Sequence, residues 1–276
     1  MDKSLKIMID AAIGAGVIVR RHFGKVGLAQ ADCKKGIRSN LVSKVDHQSQ
    51  EAIVSSIRRN FPKESILAEE GDLSRLKSEQ RHGPLWVVDP LDGTVNYLHG
   101  FPLFAVSIAF CRDGRPVLGA IYDPVREELF WAQDGVGAYL RAHGRDRRLR
   151  VTPTKRLANA LMITGFGYDR KKRANFYLSY YRTFLGIVHD VRRTGSACID
   201  LAWIAAGRAD GFWEWKLNPW DVAAGTLLVQ EAGGRVSHFD GSSYSIFQSE
   251  ETLATNGLVH NECLRVIGSL ATNYEL

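Results

Sequence analysis

Two aspartates, Asp89 and Asp92, close the apolar run Leu85-Trp86-Val87-Val88 in the segment LWVVDPLDGTVNYLHGFP. Pro90 fixes the turn between them, so both carboxylates can face one point, and the Leu91 carbonyl is a further oxygen at the same place. Gly93 permits close backbone approach, and the N–H groups after Asp92 can face an anion. Other acids stand at the ends of elements: Glu69 and Glu70 after SILA, Asp221 after Asn218-Pro219-Trp220, and Glu214 within GFWEW. Each has an ordinary structural role open to it. Asp221 suits an N-cap, DPLDG suits a turn, Glu69-Glu70 suits a solvated pair, and Asp46 suits a capping box begun by Ser43. Three or four carboxylates converging on strand ends, however, repel unless a cation sits among them. Mg²⁺ takes oxygen ligands, typically one or two carboxylates with water and substrate phosphate. Two such ions flanking a phosphate monoester would activate water on one side and stabilise the leaving alkoxide on the other.

The elements that must position these groups follow from patterning. Leu5, Met8, Ile9, Ala12 and Ile13 fall at helical spacing in a first helix ending near Phe23. A polar loop leads to a second helix over Asp46–Arg59, then a short strand at Ser65–Ala68, a loop over 72–84, and the strand into Asp89. FAVSIAF, RPVLGAIYD, EELFWA and GAYLRA, punctuated by Asp-Gly and Gly-Arg-Pro turns, predict an antiparallel meander. From about residue 150 strands alternate with helices, which predicts an α/β half. Residues 1–148 thus form an α+β half carrying Glu69 and DPLDGT. Residues 149–276 form the half carrying Asp221, and no Gly, Ser or Pro linker parts the two. One compact unit with a cleft between its halves is expected.

Composition narrows the class. With 276 residues, 45% hydrophobic and 24% charged, the chain is globular, and disordered and fibrous classes are excluded. Cys33, Cys111, Cys198 and Cys263 are widely spaced, with no metal-ligand or disulfide pattern. They read as reduced, mostly buried thiols of a cytoplasmic protein. AAIGAGVIV runs straight into Arg20-Arg21-His22 without a cleavage site and is too short to span a bilayer, so no membrane role is expected. The net charge of +6 gathers in the runs 141–150 and 169–173 and at Arg192-Arg193. These read first as solvated surface, with a nucleic-acid face as the alternative.

AEEG (68–71), WVVDPLDGTVNYLHGFP (86–102), RRTGSACIDLAWIAAGRADGFWE (192–214) and NPWDVAAGTLLVQEAGG (218–234) together resemble the inositol monophosphatase family of Mg²⁺-dependent, lithium-sensitive phosphatases. The resemblance covers most of the chain and implies a layered αβαβα sandwich, a homodimer, and a site between the two halves. It implies two to three Mg²⁺ per site, replaceable by Mn²⁺ and opposed by Li⁺, with Glu69, Asp89, the Leu91 carbonyl, Asp92 and Asp221 as ligands. Thr94, with Glu69, would position the attacking water, and Asp46 would orient Thr94. Leu91, Asp92, Gly93 and Thr94 would cradle the phosphate. Gly195, Ser196, Ala197 and Glu214, with Arg192 and Asp221, would meet the substrate. Water would attack phosphorus in line, without a phospho-enzyme. Val95 in place of a second Thr, and Leu98-His99-Gly100, depart from the commonest pattern without touching a ligand position.

The resemblance implies inositol 1-phosphate as substrate. Fructose 1,6-bisphosphate, histidinol phosphate and 3′-phosphoadenosine 5′-phosphate are the alternatives among relatives, and a regulatory or RNA-associated binding module is the alternative of another class. A bisphosphate would need a second anion site, for which Arg192-Arg193 or the 169–173 run is available. Trp213, Trp215, Trp220 and Tyr97 read as core or dimer packing.

Overall fold

Leu5, Met8, Ile9, Ala12, Ala15 and Val19 are all buried on one face of α1 (Lys3–His22), whose last turn is basic and so complements the helix dipole. The apolar stretch singled out above therefore belongs to an amphipathic helix, with Ala11, Ala12, Ala15, Gly16 and Val19 turned inward and Val17 exposed. The protein is seen in a computed structural model that describes residues 3–33, 41–71 and 76–271. Among the described residues no helix is long and apolar enough to cross a membrane.

Two short strands, β1 (Ala31–Cys33) and β2 (Leu41–Ser43), form an antiparallel ribbon where a polar loop was expected; residues 34–40 of that loop lie outside the described residues. The helix expected over Asp46–Arg59 is α2 (Lys44–Asn60), begun by Ser43 in a capping box with Asp46. In the segment 72–84, residues 72–75 lie outside the described residues, and the rest holds the single-turn α3 (Ser78–His82).

The large sheet runs in chain order: β3 (Ser65–Ala68), β4 (Leu85–Asp92), β5 (Ala105–Arg112), β6 (Arg115–Asp123), β7 (Glu128–Gln133), β8 (Gly137–Ala142) and β9 (Arg145–Arg148). Only β3–β4 is parallel; every later pair is antiparallel, as the hairpin turns predict. The small sheet has the order β11-β10-β12-β14-β13, from β10 (Leu161–Thr164), β11 (Asp190–Arg192), β12 (Gly211–Trp215), β13 (Arg235–Ser237) and β14 (Glu251–Thr255).

Helices complete the layering. α1 and α2 cover one face of the large sheet around Met8, Ile53, Trp86 and Phe110. α6 (Ala197–Ala205) and α7 (Pro219–Glu231) lie between the two sheets, around Leu201, Ala224, Phe130 and Phe212. α5 (Ala174–Leu185) and α8 (His260–Ala271) cover the outer face of the small sheet around Phe184, Trp213 and Cys263. The result is the αβαβα sandwich. A helix between two sheets must be apolar all round, and every residue of α7 from Val222 to Val229 is buried. Its small residues set the spacing: a Cβ on Gly119 of β6 would lie 3.0 Å from the Ala224 Cα, and one on Gly225 would lie 2.5 Å from the Leu201 side chain. Trp213, Trp215, Trp220 and Tyr97 are all buried, with Trp213 stacked on Phe184 at 4.1 Å.

Candidate active site

The first carboxylates are aimed by an irregularity in β4. Asp89 pairs with Ser107 and Asp92 with Ala105, so β4 carries an extra residue against β5. Pro90, which has no N–H to give a ladder, occupies this bulge. Its carbonyl accepts from the Ser49 hydroxyl at 2.7 Å, and the Leu91 N–H donates to Asp89 Oδ1 at 3.0 Å. The strand expected to stop at Asp89 thus continues to Asp92, re-aimed by its bulge. Gly93 then turns with φ +88°, and a Cβ there would lie 2.9 Å from the Leu103 carbonyl oxygen, so only glycine can open α4 (Thr94–Leu98) here.

Glu69 arrives from β3. Its N–H donates to the Val88 carbonyl at 3.0 Å, extending the parallel pairing by one residue beside Asp89. Glu69 lines the pocket; Glu70 is half-buried and its N–H is taken by Gln50 Oε1 at 3.0 Å. Asp221 enters from the first turn of α7, where one of its oxygens accepts from the Asn218 N–H at 2.6 Å. Capping and site roles share this carboxyl group.

Asp46 divides itself the same way. Its Oδ2 accepts from the Ser43 N–H and hydroxyl at 2.9 and 2.7 Å, and its Oδ1 accepts from the Thr94 hydroxyl at 3.1 Å. Thr94 Oγ1 also lies 3.1 Å from the Leu91 carbonyl oxygen. Asp92 Oδ2 accepts from the Ser196 hydroxyl at 2.5 Å and from the Cys198 N–H at 2.8 Å, which ties β4 to the start of α6.

Asp89, Asp92 and Asp221 all have their pKa values raised, by burial first. For Asp89 the charges of Glu69, Asp92 and Asp221 add to the rise; for Asp92 the Ser196 and Cys198 hydrogen bonds oppose it. A cluster so placed fits hard cations, which remove the mutual repulsion and accept carboxylate and carbonyl oxygens. Asp89, Asp92 and Cys198 bring donor atoms within 4.8 Å of one another. Burial and the neighbouring acids hold the Cys198 thiol well above its usual range, and it donates to the Asp221 carbonyl at 3.3 Å. The donor set is thus one of oxygens, suited to Mg²⁺.

The opposite wall of the pocket comes from the small sheet. Gly195, Ala197 and Glu214 line it, as do Leu91, Gly93 and Thr94 on the near side. Ser196 is buried behind the wall, holding Asp92 rather than facing the pocket. Arg192 points away: it is exposed and forms an ion pair with Asp190, while its neighbour Arg193 lines the pocket. Thr194 is pinned by its hydroxyl to Asp200 at 2.5 Å and by its carbonyl to Asn96 Nδ2 at 2.9 Å. Burial, then the Asp200 charge, push the Glu214 carboxyl up to about 8.

Sequence reading passed over the segment Gly165–Tyr168, which also lines the pocket. Its signal was the two glycines of TGFGY. A Cβ on Gly165 would stand 2.0 Å from Glu214 Oε2, and one on Gly167 would stand 2.6 Å from the Tyr177 hydroxyl.

Residues 1–271 match the model of the inositol monophosphatase family. The Nus factor SuhB of Pseudomonas aeruginosa is 43% identical over 88% of this chain and 88% of its own. The inositol-1-monophosphatase of Synechocystis is 38% identical over 96% of this chain and 88% of its own. The crystal structure of the extragenic suppressor protein suhB from Bartonella henselae superposes with a TM-score of 0.87 at 36% identity, covering 96% of this chain and 98% of that one.

Proposed function

The chain belongs to the inositol monophosphatase family, and from that premise we propose that it is a Mg²⁺-dependent phosphomonoesterase that releases phosphate from inositol 1-phosphate. The observation that most supports this reading is the meeting of Glu69, Asp89, Leu91, Asp92 and Asp221 at one end of a pocket that ends, on its other side, at Glu214. Magnesium held by those oxygens would supply Lewis acidity to the phosphoryl group. The chain's own groups do the positioning. The proton of the Thr94 hydroxyl is directed at Asp46 or the Leu91 carbonyl, which leaves its oxygen free to accept from the attacking water. Glu69 takes the other hydrogen of that water, so a lone pair faces phosphorus. Asp46 acts through Thr94 as a positioning residue. Gly195, Ala197 and Glu214 receive the hydroxyls of the alcohol. The same reading carries two or three Mg²⁺ per site, replacement by Mn²⁺, inhibition by Li⁺, a homodimer and a cytoplasmic setting.

The test is phosphate release with Mg²⁺, with and without Li⁺, from inositol 1-phosphate, fructose 1,6-bisphosphate, histidinol phosphate and 3′-phosphoadenosine 5′-phosphate, with Asp92→Asn in parallel. Lithium-sensitive turnover of inositol 1-phosphate, abolished in the variant, is expected. Preference for another member of the panel would move the substrate, and no turnover from folded, metal-supplied protein would overturn the enzyme reading.

A second reading, a nucleic-acid-associated role, is favoured by the edge strand β9, whose Arg145, Arg147 and Arg148 are all exposed, and by relatives named Nus factor. RNA binding that falls steeply with salt and survives Asp92→Asn would support it.

A further inference from the structure

The basic run 141–150 has no aromatic residue of its own, and the large sheet brings two to it from neighbouring strands. Trp131 of β7 pairs with Tyr139 of β8, and Tyr139 pairs with Arg148 of β9. Residues directly opposite one another across antiparallel strands share a face, so these three side chains form one row. The Trp131 and Tyr139 rings are stacked, with 4.4 Å between centres and 16° between planes. The alternate residues Phe130, Ala132, Ala138 and Leu140 are buried on the opposite face, where α7 packs. On the ring side α1 packs on the sheet as far as β7, and Trp131 rests against the core of that layer. Beyond it both rings are only half-buried.

The charges around the rings are uneven. Trp131 Nε1 donates to Asp146 Oδ1 at 3.1 Å, which fixes the indole. Arg141 donates to the same carboxylate through Nε and Nη2 at 2.9 and 2.8 Å, so the charges of Arg141 and Asp146 cancel. Arg145, Arg147 and Arg148 are exposed, and among the described residues none of them makes an ion pair. Three positive charges are therefore left over on β9, the last strand of the sheet. Arg148 lies on the ring side: a Cβ on Gly137 would stand 3.2 Å from its Nε, and Gly137, at φ +126°, leaves the space the guanidinium uses. Alternation puts Arg145 and Arg147 on the other side of the same strand.

A ligand for this surface needs a flat π-face and a run of negative charge together. An acidic peptide brings the charge without the bases, and a duplex keeps its bases stacked inside. A single strand of nucleic acid offers both, and stacking on aromatic rings beside a basic track is how such strands are held. Unpaired, splayed bases are the usual target for recognition in RNA. The surface is remote from the pocket, since β9 is five strands from β4, about 24 Å at about 4.8 Å per strand.

Resting on the second, nucleic-acid-associated reading above, we propose that the β7–β9 face binds single-stranded RNA. One or two bases stack on the Trp131 and Tyr139 rings, and Arg145, Arg147 and Arg148 hold the phosphate backbone along β9.

The experiment measures fluorescence anisotropy of an end-labelled oligouridylate of about 12 nucleotides with the full chain, against an RNA duplex, an oligodeoxyuridylate and an oligoglutamate of the same length. The single RNA strand is expected to bind tightest, by about tenfold or more over the duplex. Tyr139→Ala should weaken it by about tenfold, and Tyr139→Phe, which keeps the π-face, by no more than about twofold. In Arg145→Gln/Arg147→Gln/Arg148→Gln the slope of log affinity against log salt should shrink by about 2. A 5-iodouridine-substituted strand, cross-linked by ultraviolet light to the wild-type protein, should attach at Trp131 or Tyr139, and this decides even if a variant does not fold. RNA binding that survives both the Tyr139→Ala and the triple change, with cross-links elsewhere, overturns this surface and leaves the second reading standing. Equal affinity for the duplex or the oligoglutamate means that charge alone is recognised, and tighter binding of the oligodeoxyuridylate excludes RNA as the partner; either overturns the proposal. No binding of RNA by the folded protein overturns the second reading and this proposal with it.

Discussion

Thr94 and Asp46 stand 48 positions apart in sequence, and their side chains meet at 3.1 Å. The other oxygen of the same carboxyl group closes the N-terminus of α2 through Ser43. One buried residue therefore fastens α2 to the start of α4, just past the strand that carries the acidic cluster, and Thr94 is aimed by a group that cannot move without uncapping a helix.

Asp46→Asn separates these two duties. The amide keeps a carbonyl oxygen for one partner but presents an NH₂ group to the other. Phosphate release is expected to fall by about a hundredfold, most of it in kcat, while the folded protein loses about 1–2 kcal/mol from the cap. Thr94→Val, which leaves the Ser43 bonds intact, is expected to lose comparable activity with a smaller shift in unfolding midpoint. Full activity in Thr94→Val would remove Thr94 from the reaction.

The raised pKa values of Asp89, Asp92 and Asp221 carry a prediction about metal and pH. A carboxyl whose pKa is higher in the fold than in the unfolded chain holds its proton more tightly when folded. Its contribution is largest below the unfolded pKa and is lost as pH rises through the folded one. Cations restore what is lost by displacing those protons and pairing the carboxylates. The rise in unfolding temperature on adding Mg²⁺ should therefore grow as pH rises above the range in which an ordinary carboxyl group ionises. Calorimetric scans with Mg²⁺ and with chelator at each pH measure it, and a rise independent of pH would mean that the cation binds elsewhere.

Gly165→Ala tests the tightness of the far wall. Thr164 of β10 pairs with Trp213 of β12, which brings Gly165 alongside Glu214, and a new Cβ would stand 2.0–2.3 Å from the Glu214 carboxyl group. Relief requires moving the carboxyl group or the strand end, at about 1–3 kcal/mol. KM for the phosphate ester is expected to rise several-fold with kcat less affected, since the acidic end is untouched. An unchanged KM would show that Glu214 does not meet the substrate.

How far these arrangements could be read from sequence depends on what each requires. Glu69, Asp89, Asp92 and Asp221 were legible because chemistry-bearing acids at the ends of apolar runs break the pattern around them. The meander was legible because period-2 alternation and turn residues are local signals. From the residues alone Asp46 was legible as a cap; its bond to Thr94, which depends on how α2 settles on the large sheet, was expected only from the family resemblance. The choice between Arg192 and Arg193 turned on a single residue of register: Val191 is buried, Arg192 faces out beside Asp190, and Arg193 comes round to the pocket. Alternation in a strand gives opposite faces to neighbours, but which face meets the pocket is set by the sheet. The ribbon β1–β2 escaped for a related reason, because six residues of weak pattern give no period to detect.

His260 supplies a test of the second half that is independent of the acidic cluster. It is buried at the first residue of α8, with Nε2 2.8 Å from the Ser237 hydroxyl and Nδ1 3.0 Å from the Thr255 hydroxyl. Burial, then the Arg235 charge, push its pKa down to about 4. The positive end of the helix dipole acts in the same direction. The folded protein therefore binds this proton less readily than the unfolded chain, whose histidine titrates near 6.5. Its contribution to stability is fully present above that value and declines as pH falls from about 6.5 towards 4, by about 1–2 kcal/mol between about pH 7.5 and pH 5. His260→Gln keeps a donor and an acceptor but cannot titrate. In urea unfolding the variant should be the weaker protein near neutral pH, with the difference closing, or reversing, near pH 5. A difference that stays constant across that range would mean that His260 titrates in the fold as it does in the unfolded chain.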